Sequence, residues 1–193
     1  KTDARLVVAP PDHLAHGGCG RTKPTPLQDR PVLEHHHANA GSGCHVEAPA
    51  LLPCVLRGAR LMAHDLREVG IDVDCLPVLD VPAEGSHAII SDRAYSREPA
   101  RAARLGRAAA DGLMAGGVAP VMKHIPGHGR ARADSHLELP VVTAPREELE
   151  ATDFACFRAL ARMPAAMTAH VVYTAFDAEH PASTSRKVTA EVI

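Results

Sequence analysis

Between Lys123 and Pro140 the chain reads Lys-His-Ile-Pro-Gly-His-Gly-Arg-Ala-Arg-Ala-Asp-Ser-His-Leu-Glu-Leu-Pro, directly after an apolar run of strand length. Three histidines, a lysine and an aspartate fall within fourteen positions, enough to supply proton donors, proton acceptors and a cation. Gly127 and Gly129 let the backbone turn and approach a ligand closely. An isolated Asp-x-His is usually a capped or solvated turn. In this company, Asp134 and His136 lie two apart on a loop and can share one side of it. The carboxylate then accepts from one imidazole nitrogen and leaves the other to exchange a proton with a substrate, which makes a general acid/base dyad. Lys123 and His124, at the strand end, can donate to ligand hydroxyls; a lysine snorkelling from the rim of a sheet is the plainer alternative.

The elements that must position these residues alternate from Leu56 onward. Residues 56–69 place Leu56, Leu61, Leu66 and Val69 near one face of an amphipathic helix, which Gly70 stops. Ile71 to Val81 reads as a buried parallel strand whose end, Asp80, points to the mouth of the fold. A second helix spans 99–116 and ends at Gly116-Gly117, and Val118 to Lys123 is the next strand. A third helix, 145–162, opens on Thr143 or Pro145 and carries Leu149, Phe154, Phe157 and Leu160. It leads to a strand from Ala165 to Val172, and Ser183 or Thr184 starts a last helix. Such alternation implies a parallel sheet, as a barrel or a doubly wound sheet.

Residues 1–55 have no sustained period and read as an irregular segment distinct from 56–193, with the break near Pro53. They hold six of the thirteen histidines and seven of the sixteen prolines, and only Arg5 to Ala9 resembles a strand. The adjacent His35, His36 and His37 cannot converge easily on one ion, so a solvated loop is expected there and no metal. A frame error in GC-rich DNA would produce the same Pro/Arg/His/Gly/Cys-rich composition.

At 193 residues the chain can bury a core but is short of the roughly 250 of a complete (β/α)8 barrel. With 46% hydrophobic and 23% charged residues it has an ordinary globular composition. A net charge of -2 without a basic stripe gives no footprint for nucleic acid, and no apolar run approaches the roughly 18 residues of a membrane span. The N-terminus has no signal pattern. Five cysteines without a CxxC pair suggest neither a disulfide framework nor a zinc site, which fits a reducing cytoplasm. No cofactor is expected. With 3% aromatic residues and no Trp, a ligand must be held mainly by polar groups.

The run Lys123 to Gly129, followed by Asp134-Ser-His136 and Leu139-Pro140, resembles bacterial cytoplasmic β-N-acetylglucosaminidases of glycoside hydrolase family 3. Leu76-Pro-Val-Leu-Asp-Val81, Ser91-Asp-Arg-Ala-Tyr95 and Met167-Thr-Ala-His-Val-Val-Tyr173 extend the resemblance, in the family's order, over residues 56–193. The resemblance implies an α/β chain forming the central part of a (β/α)8 TIM-type barrel that is incomplete, with its C-terminal strands missing and its N-terminal part irregular. It implies a monomeric retaining hydrolase that removes terminal N-acetyl-β-glucosamine from peptidoglycan-derived GlcNAc-anhydromuramyl peptides. His136 would be the acid/base partnered by Asp134, and Arg93, Lys123 and His124 would bind the sugar. His170 and Asp80 would face the same pocket from strand ends, with structural roles for both left open.

The chain departs from the family's pattern in two places. The family's Asp-Gln-Glu-Gly-Gly-Arg-Val stretch has no counterpart in residues 1–55. Its nucleophile, an Asp in a Gly-Phe-x-Gly…Ser-Asp-Asp segment, would fall beyond Ile193. Asp153 is expected inside a helix, and Asp177 and Glu179 in an exposed turn, so none replaces that nucleophile. Retaining hydrolysis needs both a nucleophile that forms a glycosyl-enzyme and an acid/base that protonates the leaving oxygen and then activates water. These 193 residues alone are therefore expected to be inactive although the parent hydrolyses. A family 3 β-glucosidase, a non-catalytic sugar-binding barrel or pseudoenzyme, and a metal-dependent hydrolase are the competing readings. The first usually carries its acid/base in another domain, and the last finds no clean ligand set here.

Overall fold

The computed structural model describes residues 48–86, 90–133 and 138–193. Residues 1–47, Asp134 and His136 lie outside the described residues. The first helix, α1, runs from Ala48 to Glu68, starting before the expected Leu56 and passing through Pro53. Pro53 lacks the N–H that would reach the carbonyl of Pro49, one rung near the helix start. The buried stripe of α1 is also not the expected leucine face: Ala59 and Ala63 are buried, whereas Leu61 and Val69 are 65% and 72% exposed. The second helix, α2 (Pro99–Ala115), decides this. A Cβ on Gly112 would lie 2.3 Å from the Leu56 carbonyl oxygen, and one on Gly116 would lie 2.4 Å from the Ala63 Cβ. The helices meet along a seam of alanine and glycine too narrow for leucine, with Val55 and Leu66 packed at its edges. Gly70, at φ +81°, ends α1 as expected.

The strands are parallel but shorter than their apolar runs. β1 is Val73–Asp74 and β2 is Ala119–Ile125. Pro77, without an N–H, interrupts the first run, yet the ladder resumes beyond it: Lys123 N donates to Pro77 O and Leu79 N to Lys123 O. The expected strand at 165–172 divides in two. After β3 (Val141–Val142), β4 (Ala165–Thr168) pairs with β2, while β5 (Val172–Tyr173) pairs with β3 in a separate two-stranded sheet. The β2 ladder ends because its register shifts at Lys123–Ile125 and Pro126 has no N–H. Val172 N then donates to Pro140 O instead. The Leu76–Pro77, Lys123–His124 and Ile125–Pro126 peptides are cis.

The expected helix at 145–162 is likewise two pieces, α3 (Arg146–Ala151) and α4 (Ala155–Ala159). At the break the Thr152 hydroxyl lies 2.7 Å from both the Glu148 carbonyl and Asp153 Oδ2, and Asp153 is buried beside Arg130 rather than helical. Leu79, Met122 and Ile125 pack with Ala102, Ala103, Cys156, Phe157 and Leu160, so α2 and α4 cover the three-stranded sheet. Tyr173, Phe154, Leu149 and Val188 form a second core around β3 and β5. Among the described residues no helix is long and apolar enough to cross a membrane.

The last helix, α5 (Arg186–Glu191), starts at Ser185 rather than Ser183 or Thr184, because the Ser185 hydroxyl accepts from Val188 N. That hydroxyl also donates to Asp177, which is buried and not in an exposed turn. The Ser185 hydroxyl, then the Glu179 amide, hold the Asp177 carboxyl down at about 2. Its ordinary value is about 3.9. With the folded value depressed, its contribution to stability is complete above about pH 4 and is lost as pH falls toward 2. Thermal unfolding midpoints should therefore fall more steeply between pH 4 and 2 for the native sequence than for Asp177→Asn. Parallel curves would rule out this contribution.

Candidate active site

Asp80 closes the run after β1 and is fully buried, so it does not face a ligand as expected. Its carboxylate organises the loop leaving β2. Oδ1 accepts the backbone N–H of His124 at 3.2 Å and that of His128 at 2.6 Å, and Oδ2 accepts Nδ1–H of His124 at 2.7 Å. Two oxygens thus take three donors separated by more than forty residues from Asp80. The Nδ1 bond fixes the His124 ring and, in the neutral imidazole, leaves Nε2 as an acceptor. Neighbouring Lys123 lies opposite Val78 and is half-buried, with no described residue partnering its ammonium.

The glycine-rich turn is held from three sides. A Cβ on Gly129 would lie 2.1 Å from the Val81 carbonyl oxygen, so only glycine fits against that backbone. Gly129 O accepts from Ala83 N at 3.1 Å. The Tyr173 hydroxyl donates to Gly127 O from β5. Burial, then the Asp80 and Asp153 charges, pushes the Tyr173 hydroxyl well above its ordinary range, so it stays a donor. His128 is buried with its ring 5.6 Å from that of His124. Cys156 cannot serve as a nucleophile: burial first, then Asp153 and Asp80, pushes its thiol up to about 12.

Of the expected site residues, Asp80, Lys123 and His124 come together at the carboxyl ends of parallel strands. Arg93 lies on a different loop, exposed at the end of the 3-10 turn Ser91–Arg93. His170 is exposed and shares a 2.7 Å hydrogen bond with Ser183, with none to the Asp80 knot among the described residues. The sequence reading missed His128 and Tyr173 as the supports of this loop. Only the glycine flanks of His128 hinted at close packing.

A parallel α/β arrangement with a histidine- and glycine-bearing loop over the strands' carboxyl ends belongs to the class that binds ligands at that edge. The chain belongs to glycosyl hydrolase family 3, whose N-terminal domain matches residues 49–193. It is 43% identical over 141 residues to a β-hexosaminidase of Tolumonas auensis, covering 72% of this chain and 40% of that protein. It is 46% identical over 123 residues to a β-hexosaminidase of Methylococcus capsulatus, covering 63% and 36%. Among solved structures, NagZ from Neisseria gonorrhoeae in complex with N-trifluoroacetyl-D-glucosamine superposes with a TM-score of 0.67 at 42% identity, over 71% of this chain and 40% of that one. The chain thus spans about 40% of the length of such relatives.

Proposed function

We propose that the whole protein containing this chain is a retaining β-N-acetylglucosaminidase acting in cell-wall recycling, as a cytoplasmic monomer on GlcNAc-anhydromuramyl peptides. The described residues are its share of a (β/α)8 barrel. His136 is the acid/base, partnered by Asp134; Arg93, Lys123 and His124 bind the sugar; the nucleophilic Asp comes from outside these 193 residues. The observation that carries this reading is the Asp80 knot. It holds the His124 ring through Nδ1 and so leaves Nε2 as the nitrogen open to a sugar hydroxyl, with the half-buried Lys123 next in the chain. The likeness to β-hexosaminidases and to a NagZ bound to a glucosamine derivative supports the choice of sugar. The free thiols Cys54, Cys75 and Cys156 among the described residues agree with a reducing compartment.

The whole protein should hydrolyse 4-nitrophenyl N-acetyl-β-glucosaminide far faster than 4-nitrophenyl β-glucoside, with the first-formed sugar in the β configuration by NMR. A preference for the glucoside would favour a β-glucosidase. Sugar binding without turnover would favour a non-catalytic barrel.

A further inference from the structure

Arg130 immediately follows the pinned Gly129 and precedes Asp134 by four residues. All three nitrogens of its guanidinium are engaged, each by a different residue of α3 or the turn after it. Nε donates to Asp153 Oδ2 at 3.0 Å, one terminal nitrogen to Glu148 Oε1 at 2.6 Å and the other to the Thr152 hydroxyl at 3.1 Å. The Asp153 side chain is only 3% exposed. Burial pushes its carboxyl upward, while Thr152 and Arg130 act against that push. The same residue also abuts the glycine-rich turn: a Cβ on Gly127 would lie 3.0 Å from the Asp153 carbonyl oxygen. Asp153 therefore holds the stem of the loop at two points, by backbone contact at Gly127 and through its carboxylate at Arg130.

A planar fork of N–H groups held on three acceptors fixes both position and direction, which a lysine ammonium cannot reproduce. A general acid is sensitive to placement, since an error of about 1 Å can cost on the order of a hundredfold. We propose that Arg130 is a positioning residue for the acid/base, fastening to Glu148, Thr152 and Asp153 the outgoing end of the Gly127–Gly129 turn, from which the chain runs on to Asp134 and His136. This rests on the acid/base role proposed above for His136. With every guanidinium nitrogen taken by Glu148, Thr152 or Asp153, Arg130 acts through the loop.

The test measures kcat/KM, which reads glycosylation, for whole-protein variants on 2,4-dinitrophenyl and phenyl N-acetyl-β-glucosaminides, together with thermal midpoints. Arg130→Met should lower kcat/KM about ten- to a hundredfold for the phenyl substrate, which needs protonation, and several-fold less for the dinitrophenyl one. Arg130→Lys should recover part of the phenyl activity. Equal losses on both substrates, in step with a fallen midpoint, would overturn the proposal and leave a purely structural clamp. If Arg130→Met does not fold, Glu148→Ala, which removes the acceptor, decides: Glu148 is 48% exposed, and a selective phenyl loss supports the proposal while unchanged ratios overturn it. Failure of the native protein to turn over even the dinitrophenyl substrate would instead overturn the activity reading, and this proposal with it.

Discussion

Replacing His136 by Ala in the whole protein should lower kcat/KM for phenyl N-acetyl-β-glucosaminide by roughly 10²–10⁴-fold, the usual contribution of general acid catalysis. The 2,4-dinitrophenyl substrate should lose far less, because its leaving oxygen departs without a proton. Asp134→Asn should follow the same ranking with smaller losses, since it leaves the imidazole in place but takes away the carboxylate that stabilises its charged form. External azide should restore turnover of the dinitrophenyl glycoside by taking over the second step from the missing base. A His136→Ala enzyme equally slow on both substrates would remove His136 from the acid role.

The second large effect is expected at Asp80. Asp80→Ala removes a fully buried carboxylate that accepts from two backbone N–H groups and from His124 Nδ1. Each buried donor left without a partner costs about 1–3 kcal/mol. That is a large part of the roughly 5–15 kcal/mol of an ordinary domain. The unfolding midpoint in urea should drop accordingly, and a loss under about 1 kcal/mol would mean that the knot is rebuilt by water. Asp80→Asn separates stability from binding. Its Oδ1 still accepts the two backbone N–H groups, but its amide now donates to Nδ1 of His124 and turns Nε2 from acceptor into donor. The fold should largely survive while N-acetylglucosamine inhibits more weakly.

The density of histidines, glycines and one lysine in the 123–140 segment is legible because it is local, and it exceeds what a simple connection needs. What Asp80 does was not legible. It lies 44 and 48 residues from the groups it binds, and only the parallel pairing of its strand with β2 brings them within hydrogen-bond reach. Arg130 escaped for the same reason. Its acceptors begin eighteen residues later, and one of them, Asp153, interrupts a helix that the spacing of Leu149, Phe154, Phe157 and Leu160 predicts as continuous. The face of α1 was misread because leucine outweighs alanine in a hydrophobic pattern. Contact with Gly112 and Gly116 rewards the smaller side chain.

Helices and parallel strands that alternate from α1 onward, glycines that stop α1 and α2, and a histidine- and glycine-dense segment after β2 can all be read from the sequence. These follow from short-range rules: side-chain period, backbone freedom at glycine, and the acid–base character of each residue. Only the tertiary contacts settle which small residues α1 buries, where each ladder breaks, and that Asp80 and Arg130 both hold the loop leaving β2. A hydrogen bond is made only where folding delivers a partner at the right distance and leaves no water to replace it. Residues far apart along the chain therefore acquire their roles only once the strands are paired.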